Sequence, residues 1–113
     1  MKICSIKENC DFKRLYYKGK SCVKKSVVLY YRKNKFSCNR LGLTVSPKVG
    51  NAVKRNRIRR ILREIYRVLE LEQGYDIVIV ARKSSALKSF CEIQKDLKSA
   101  LYDSGLLKRD ELD

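Results

Sequence analysis

The 113-residue chain has no histidine, a single proline and, across residues 1–69, only three acidic side chains, Glu8, Asp11 and Glu64. Each shortage excludes something. Protein ribonucleases commonly use an imidazole as general acid or base, and none is available. Two-metal nucleases need clustered carboxylates, and the first half offers only three acids, Glu8 and Asp11 near its start and Glu64 far along the chain. The five cysteines, Cys4, Cys10, Cys22, Cys38 and Cys91, include no C-x-x-C pair and no zinc-finger spacing. Their odd number, with no secretory signal ahead of them, implies reduced thiols in a cytoplasmic protein. Cys91 falls in a helical apolar pattern and is expected in the core, Cys4 and Cys10 at the surface. No P-loop, dinucleotide fingerprint or nucleophile motif is present, although a Ser-Lys or Cys-Lys pair stays open on sequence alone. No apolar run approaches the roughly 18 residues of a membrane span. A polybasic membrane-surface protein would carry its charge in a tail or linker, so no membrane partner is expected. These exclusions favour binding over catalysis by the polypeptide.

What is abundant is positive charge. Lys and Arg number 27 against 12 Asp and Glu, for a net charge of +15. The excess is one-sided, because residues 1–69 carry a net +17 and residues 70–113 a net −2. A domain with one strongly basic half implies a polyanionic partner. The charge is densest at residues 54–67, KRNRIRRILREIYR, where seven of fourteen residues are basic. Ile58, Ile61, Leu62, Ile65 and Leu69 recur at the i, i+3, i+4, i+7 spacing of a core-facing helix. Asn56, Arg60, Arg63 and Arg67 then share the opposite side, within about 60° of one another, with Arg57 and Arg59 flanking them. A solvated face normally alternates signs, whereas here like charges meet at i+3 and i+4, each pair costing roughly 0.2–0.5 kcal/mol. That cost points to phosphate binding.

The elements read in the order α-β-β-α-β-α. Asn9 caps a helix from Cys10 to Lys18 that stops at a left-handed Gly19. Residues 23–32 form one strand, residues 40–46 a second with Leu41, Leu43 and Val45 facing inward, and the two should pair as an antiparallel hairpin. The SPKVGN segment bends the chain before the basic helix; if Asn51 caps it, Val53 faces the polar side, so either the first turn is irregular or the regular helix begins nearer Arg55, and Gln73 and Gly74 end it. Residues 75–82, YDIVIVAR, form a strand covered on both faces. Ser89 and Glu92 make a capping box for a last helix with Phe90, Ile93, Leu97, Ala100 and Leu101 on its core face and a stop at Gly105. Residues 106–113 fray as a tail of this single domain, 1–113. The fold class is an α/β two-layer sandwich, a small sheet with helices packed mainly on one side.

Aromatic residues crowd the basic half. Phe12, Tyr16, Tyr17, Tyr30, Tyr31 and Phe36 are interleaved with Lys13, Arg14, Lys18, Arg32, Lys33 and Lys35. Tyr30 is out of phase with Val27, Leu29 and Tyr31, so it occupies the opposite sheet face. An open face with aromatics rimmed by cations suits single-stranded RNA, whose bases stack on π surfaces while arginine forks grip phosphates.

The run NAVKRNRIRRILRE, preceded by GLTVSPKVG, resembles the signature of the bacterial ribonuclease P protein component family. DFKRLYYKGKS, VVLYY and YDIVIVARKSS resemble further family segments, so the likeness spans residues 6–101. The resemblance implies a mixed sheet with a left-handed βαβ crossover, an exception to the usual right-handed rule. It implies that a catalytic RNA binds Arg55, Asn56, Arg57, Arg59, Arg60 and Arg63. It also implies that the 5′ leader of precursor tRNA lies against Phe12, Tyr16 and Tyr30, with Lys48 and Arg67 as basic neighbours. Hydrolysis would belong to the RNA and its magnesium, with no catalytic residue, cofactor or obligate protein partner on the polypeptide. The protein would raise substrate affinity and help metal occupancy. Pro47 stands where the family often has lysine, and Tyr16 where phenylalanine is frequent. The competing reading is a ribosomal or ribosome-assembly protein that grips structured RNA through the same helix and has less need of an aromatic trough.

Overall fold

The computed structural model describes residues 4–108. Five strands form one mixed sheet: β1 (Cys4–Ser5), β2 (Lys20–Val23), β3 (Val27–Lys33), β4 (Arg40–Val45) and β5 (Tyr75–Ala81), in the spatial order β1-β4-β5-β3-β2. Three helices accompany them, α1 (Asn9–Lys18), α2 (Ala52–Val68) and α3 (Phe90–Asp103). The α-β-β-α-β-α order therefore holds with two additions, the two-residue β1 and the short β2, which precedes the expected 23–32 strand; that strand itself starts later, as β3.

The expected hairpin is displaced. The antiparallel hairpin is formed by β2 and β3, whereas β3 and β4 do not pair with each other: β5 lies between them, antiparallel to β3 and parallel to β4. The physical reason is in β5 itself. Ile77 and Ile79 enter the main core and Val78 the core on the other face, so both faces are covered and the strand takes the centre. β4 and β5 run parallel and are joined through α2, so the arginine-rich helix is the crossover of a βαβ unit.

Two cores flank the sheet. The larger unites Leu29, Leu41, Val45, Ile77 and Ile79 with Ile58, Leu62 and Ile65 of α2 and Ile93, Leu97 and Leu101 of α3. The smaller lies on the opposite face, where α1 brings Leu15 onto Val78 and Ile6, with Phe12, Tyr30 and Val80 at its margin. Two helices thus pack on one face, and the third covers the other only in part.

Several local expectations change. Asn51 caps a regular α2, its side chain accepting from the Lys54 amide at 3.0 Å, a bond worth about 1 kcal/mol. Val53 does face solvent, without disturbing the turn. Pro47 opens a short 3-10 turn, Pro47–Val49, where its missing N–H is harmless. α2 ends at Val68 with Leu69 as its cap, earlier than Gln73 and Gly74. Glu8, with no side-chain cap bond, precedes α1 in place of Asn9. Gly19 has φ −79°, so it is no left-handed stop; a Cβ there would lie 2.5 Å from the Leu15 carbonyl oxygen. The Ser89–Glu92 capping box is present, but Phe90 and Cys91 are exposed, not core. Leu106 and Leu107 are buried, and Leu107 bridges to Leu71, so the expected tail is docked at least through Lys108. Residues 109–113 lie outside the described part.

Candidate nucleic-acid interface

The hydrophobic anchoring of α2 decides which way its arginines point. With Ile58, Ile61, Leu62 and Ile65 buried, Asn56, Arg59, Arg60, Arg63 and Arg67 are gathered on one outward depression of about 430 Å³, with Glu64 at its edge. Arg59 Nη1 donates to Asn56 Oδ1 at 3.1 Å, which fixes the asparagine beside the guanidinium. Among the described residues no ion pair engages an arginine of α2. Their forks are therefore available to phosphate. Two of the six expected positions sit apart. Arg57 reaches toward the Lys88 carbonyl at 3.5 Å, and Arg55 is half-buried with its Nε unpartnered.

The aromatic site forms where α1 leaves the sheet uncovered. Tyr16 and Tyr30 meet edge to face, their ring centres 5.0 Å apart at 78°, and the Tyr16 hydroxyl shares a 3.0 Å hydrogen bond with Thr44 Oγ1. Tyr16 keeps 38% of its surface exposed. Phe12 lies on β4 at Gly42, where an added Cβ would come within 2.6 Å of the ring. Phe12, Tyr16 and Tyr30 are thus brought together on rigid elements, above buried Leu15 and Val78. A small cavity of about 180 Å³ beside Phe12 and Gly42 is also lined by Arg59 and Arg63, so the Phe12 end of the trough adjoins the arginine face.

Lys48 and Arg67 do not line that cavity. Lys48 lies beyond the N-terminal end of α2, sharing an open depression with Lys25, Arg82 and Lys83. Arg67 stands at the other end, a turn past Arg63, between the arginine depression and a cavity near Cys4, Cys38 and Tyr66. α2 spans about 25 Å between those ends. The cationic group of Lys25, Arg82 and Lys83 had no signal in sequence, because its members come from separate loops.

A second layer of polar contacts holds the trough's walls. Arg40 of β4 binds Asp76 of β5 through Nε at 2.8 Å and Nη2 at 2.6 Å, approaches Asp11 of α1 at 3.5 Å and lies 4.8 Å above the Phe36 ring. Burial alone would raise the Asp76 carboxyl, but hydrogen bonds from Arg40 and Asn34 outweigh it and hold the group below the usual carboxylate range. Asp11 adjoins Phe12, so this ion pair couples the aromatic site to the sheet. Behind α2, burial pushes the Tyr66 phenol up to about 12 against a side-chain hydrogen bond with Asn39. Among the described residues no group of three or more His, Cys, Asp or Glu is placed to hold a metal ion, and no helix is long and apolar enough to cross a membrane.

Comparison with known proteins places this geometry in context. A family model described as Ribonuclease P matches residues 1–104. The chain is 42% identical over 112 residues to the ribonuclease P protein component of Clostridium kluyveri, covering 96% of this chain and 100% of that one. It is 44% identical over 106 residues to the ribonuclease P protein component of Oceanobacillus iheyensis, covering 91% and 88%. A solved structure of the Staphylococcus aureus RNase P protein superposes with a TM-score of 0.85 at 36% identity, over 95% of this chain and 100% of that one.

Proposed function

The chain belongs to the ribonuclease P protein family and is an RNA-binding subunit of that enzyme; we propose that it holds two RNAs on two adjoining surfaces. The arginine face of α2, centred on Asn56, Arg59, Arg60 and Arg63, docks the catalytic RNA subunit. Arg55 and Arg57 contribute from its margins. The trough of Phe12, Tyr16 and Tyr30 receives the 5′ leader of precursor tRNA, with unpaired bases stacking on the exposed tyrosine and the backbone passing toward Arg59 and Arg63. Lys48 and Arg67 extend the electrostatic path at either end of α2 without touching the stacked bases.

The observation that carries this reading is the Tyr16–Tyr30 pair, partly exposed on a fixed platform with Phe12, whose own cavity is lined by Arg59 and Arg63. Stacking is worth about 1–3 kcal/mol per base and tolerates any sequence, which suits leaders that differ from one precursor to the next. In this reading the phosphodiester is hydrolysed by the RNA and its magnesium. The polypeptide contributes affinity for the substrate, and its arginines neutralise backbone charge that would otherwise compete for those ions. Mixing the purified protein with a bacterial ribonuclease P RNA at low magnesium should restore 5′ maturation of precursor tRNA. The protein alone, freed of nucleic acid, should leave the precursor intact, and cleavage by it would overturn the assignment of chemistry to the RNA.

A further inference from the structure

At the sheet edge, past the Arg67 end of the arginine face, two thiols come together. Cys4 lies on β1, whose two residues pair in parallel with the start of β4, Cys4 opposite Arg40. Cys38 lies two residues before Arg40, at the end of the loop from β3. The Cys38 thiol points at Cys4 Sγ, 3.9 Å away. Both cysteines are free, Cys4 exposed and Cys38 half-buried, and they line one cavity of about 460 Å³ with Tyr66 and Arg67. Cys10, Cys22 and Cys91 have no sulfur partner among the described residues.

We infer that Cys4 and Cys38 form a dithiol modification site, which a peroxide closes to an intramolecular disulfide. The step balances as two thiols and one hydrogen peroxide giving one disulfide and two waters. The exposed Cys4 thiolate attacks a peroxide oxygen, the O–O bond breaks, and hydroxide leaves, forming a sulfenic acid. Cys38 gives its proton to that hydroxide and attacks the Cys4 sulfur, and the S–O bond breaks with loss of water on protonation. The thiols supply both electrons. Its hydrogen bond to Cys4 pushes the Cys38 thiol up, so Cys38 is the resolving partner and Cys4 the sulfur that meets the oxidant.

The sulfurs must approach to about 2.05 Å, a movement within reach of side-chain rotation and of the loop at residues 34–39, which belongs to no helix or strand. The bond would tie β1 covalently, and reversibly, to the loop that leads into β4. That matters because β1 has only two residues and leads into Ile6, which sits beneath α1 in the smaller core. Closure therefore removes fraying of the segment that supports Phe12 and Leu15. The chemistry does not depend on the RNA assignment.

The test exposes the complete five-cysteine protein to hydrogen peroxide and maps peptides without reduction. A Cys4–Cys38 linked peptide, lost on adding dithiothreitol and absent from Cys38→Ser, is the expected result. A variant with Cys10→Ser, Cys22→Ser and Cys91→Ser should still form it, and hydrogen exchange at residues 4–6 should slow in the oxidised protein. Overoxidation of Cys4 with no linked peptide, or linkage through Cys10, Cys22 or Cys91, would overturn the inference.

Discussion

Alanine at position 42 would drive a Cβ into the Phe12 ring, 2.6 Å from Cε1 and 2.7 Å from Cζ, with Val78 Cγ2 at 3.3 Å. Carbon atoms rest at about 3.5–4.0 Å, so the ring must retreat by about 1 Å. Overpacking of that size costs about 1–3 kcal/mol, against which a strand alanine recovers about 0.5–1 kcal/mol relative to glycine. Gly42→Ala should therefore lose about 1–2 kcal/mol in urea unfolding. It should also weaken leader-dependent precursor binding, because Phe12 can no longer keep its ring against β4 at Gly42. Truncation of the ring removes the clash. In a Phe12→Ala background, Gly42→Ala should become neutral or slightly stabilising, a coupling of about 1–3 kcal/mol in the double-mutant cycle. An equal penalty in both backgrounds would locate the conflict at Val78 and refute the idea that Gly42 exists to seat the aromatic wall.

Further expectations concern charge and titration. Arg60→Gln with Arg63→Gln should flatten the salt dependence of RNA-subunit binding by about 0.7–0.9 per lost phosphate contact, and an unchanged slope would remove those arginines from the interface. Arg40→Ala should cost about 2–3 kcal/mol, because it strands Asp76, whose side chain is only 14% exposed. With its carboxyl held low, Asp76 adds stability above its ordinary value of 3.8, and that contribution disappears as pH falls through the lower folded value. Acid unfolding of the Asp76→Asn variant should accordingly show a shallower pH dependence. Tyr66, raised to about 12, contributes stability that is intact below about pH 10 and is lost as pH rises toward 12. Absorbance titration should show one tyrosine ionising last, and Tyr66→Phe should abolish that final phase.

The helices were legible because their signals are local. The apolar spacing of α2 fixed both its buried side and the direction of Arg60, Arg63 and Arg67, and the Ser89–Glu92 box fixed the start of α3. Strand phase placed Tyr30 opposite Leu29 correctly. Pairing partners were harder to read, since β3 and β4 look like a hairpin by proximity while the insertion of β5 between them depends on tertiary burial. The glycine in RLGLTV was a usable but overlooked sign, because an isolated strand glycine marks close approach. Residues joined only by the sheet, such as Thr44 beneath Tyr16 or Arg40 between Asp11 and Asp76, left no trace in spacing.

The division of labour between the two surfaces is tested most directly by equilibrium binding of the reconstituted RNA–protein enzyme to precursor tRNA with and without its leader. With the RNA subunit saturated by protein, Tyr30→Ala should weaken binding of the leader-bearing precursor by about 1–3 kcal/mol and leave the leaderless one unchanged. Arg60→Gln with Arg63→Gln should instead raise the protein concentration needed to saturate the RNA subunit. Equal losses for Tyr30→Ala on both substrates would contradict the account.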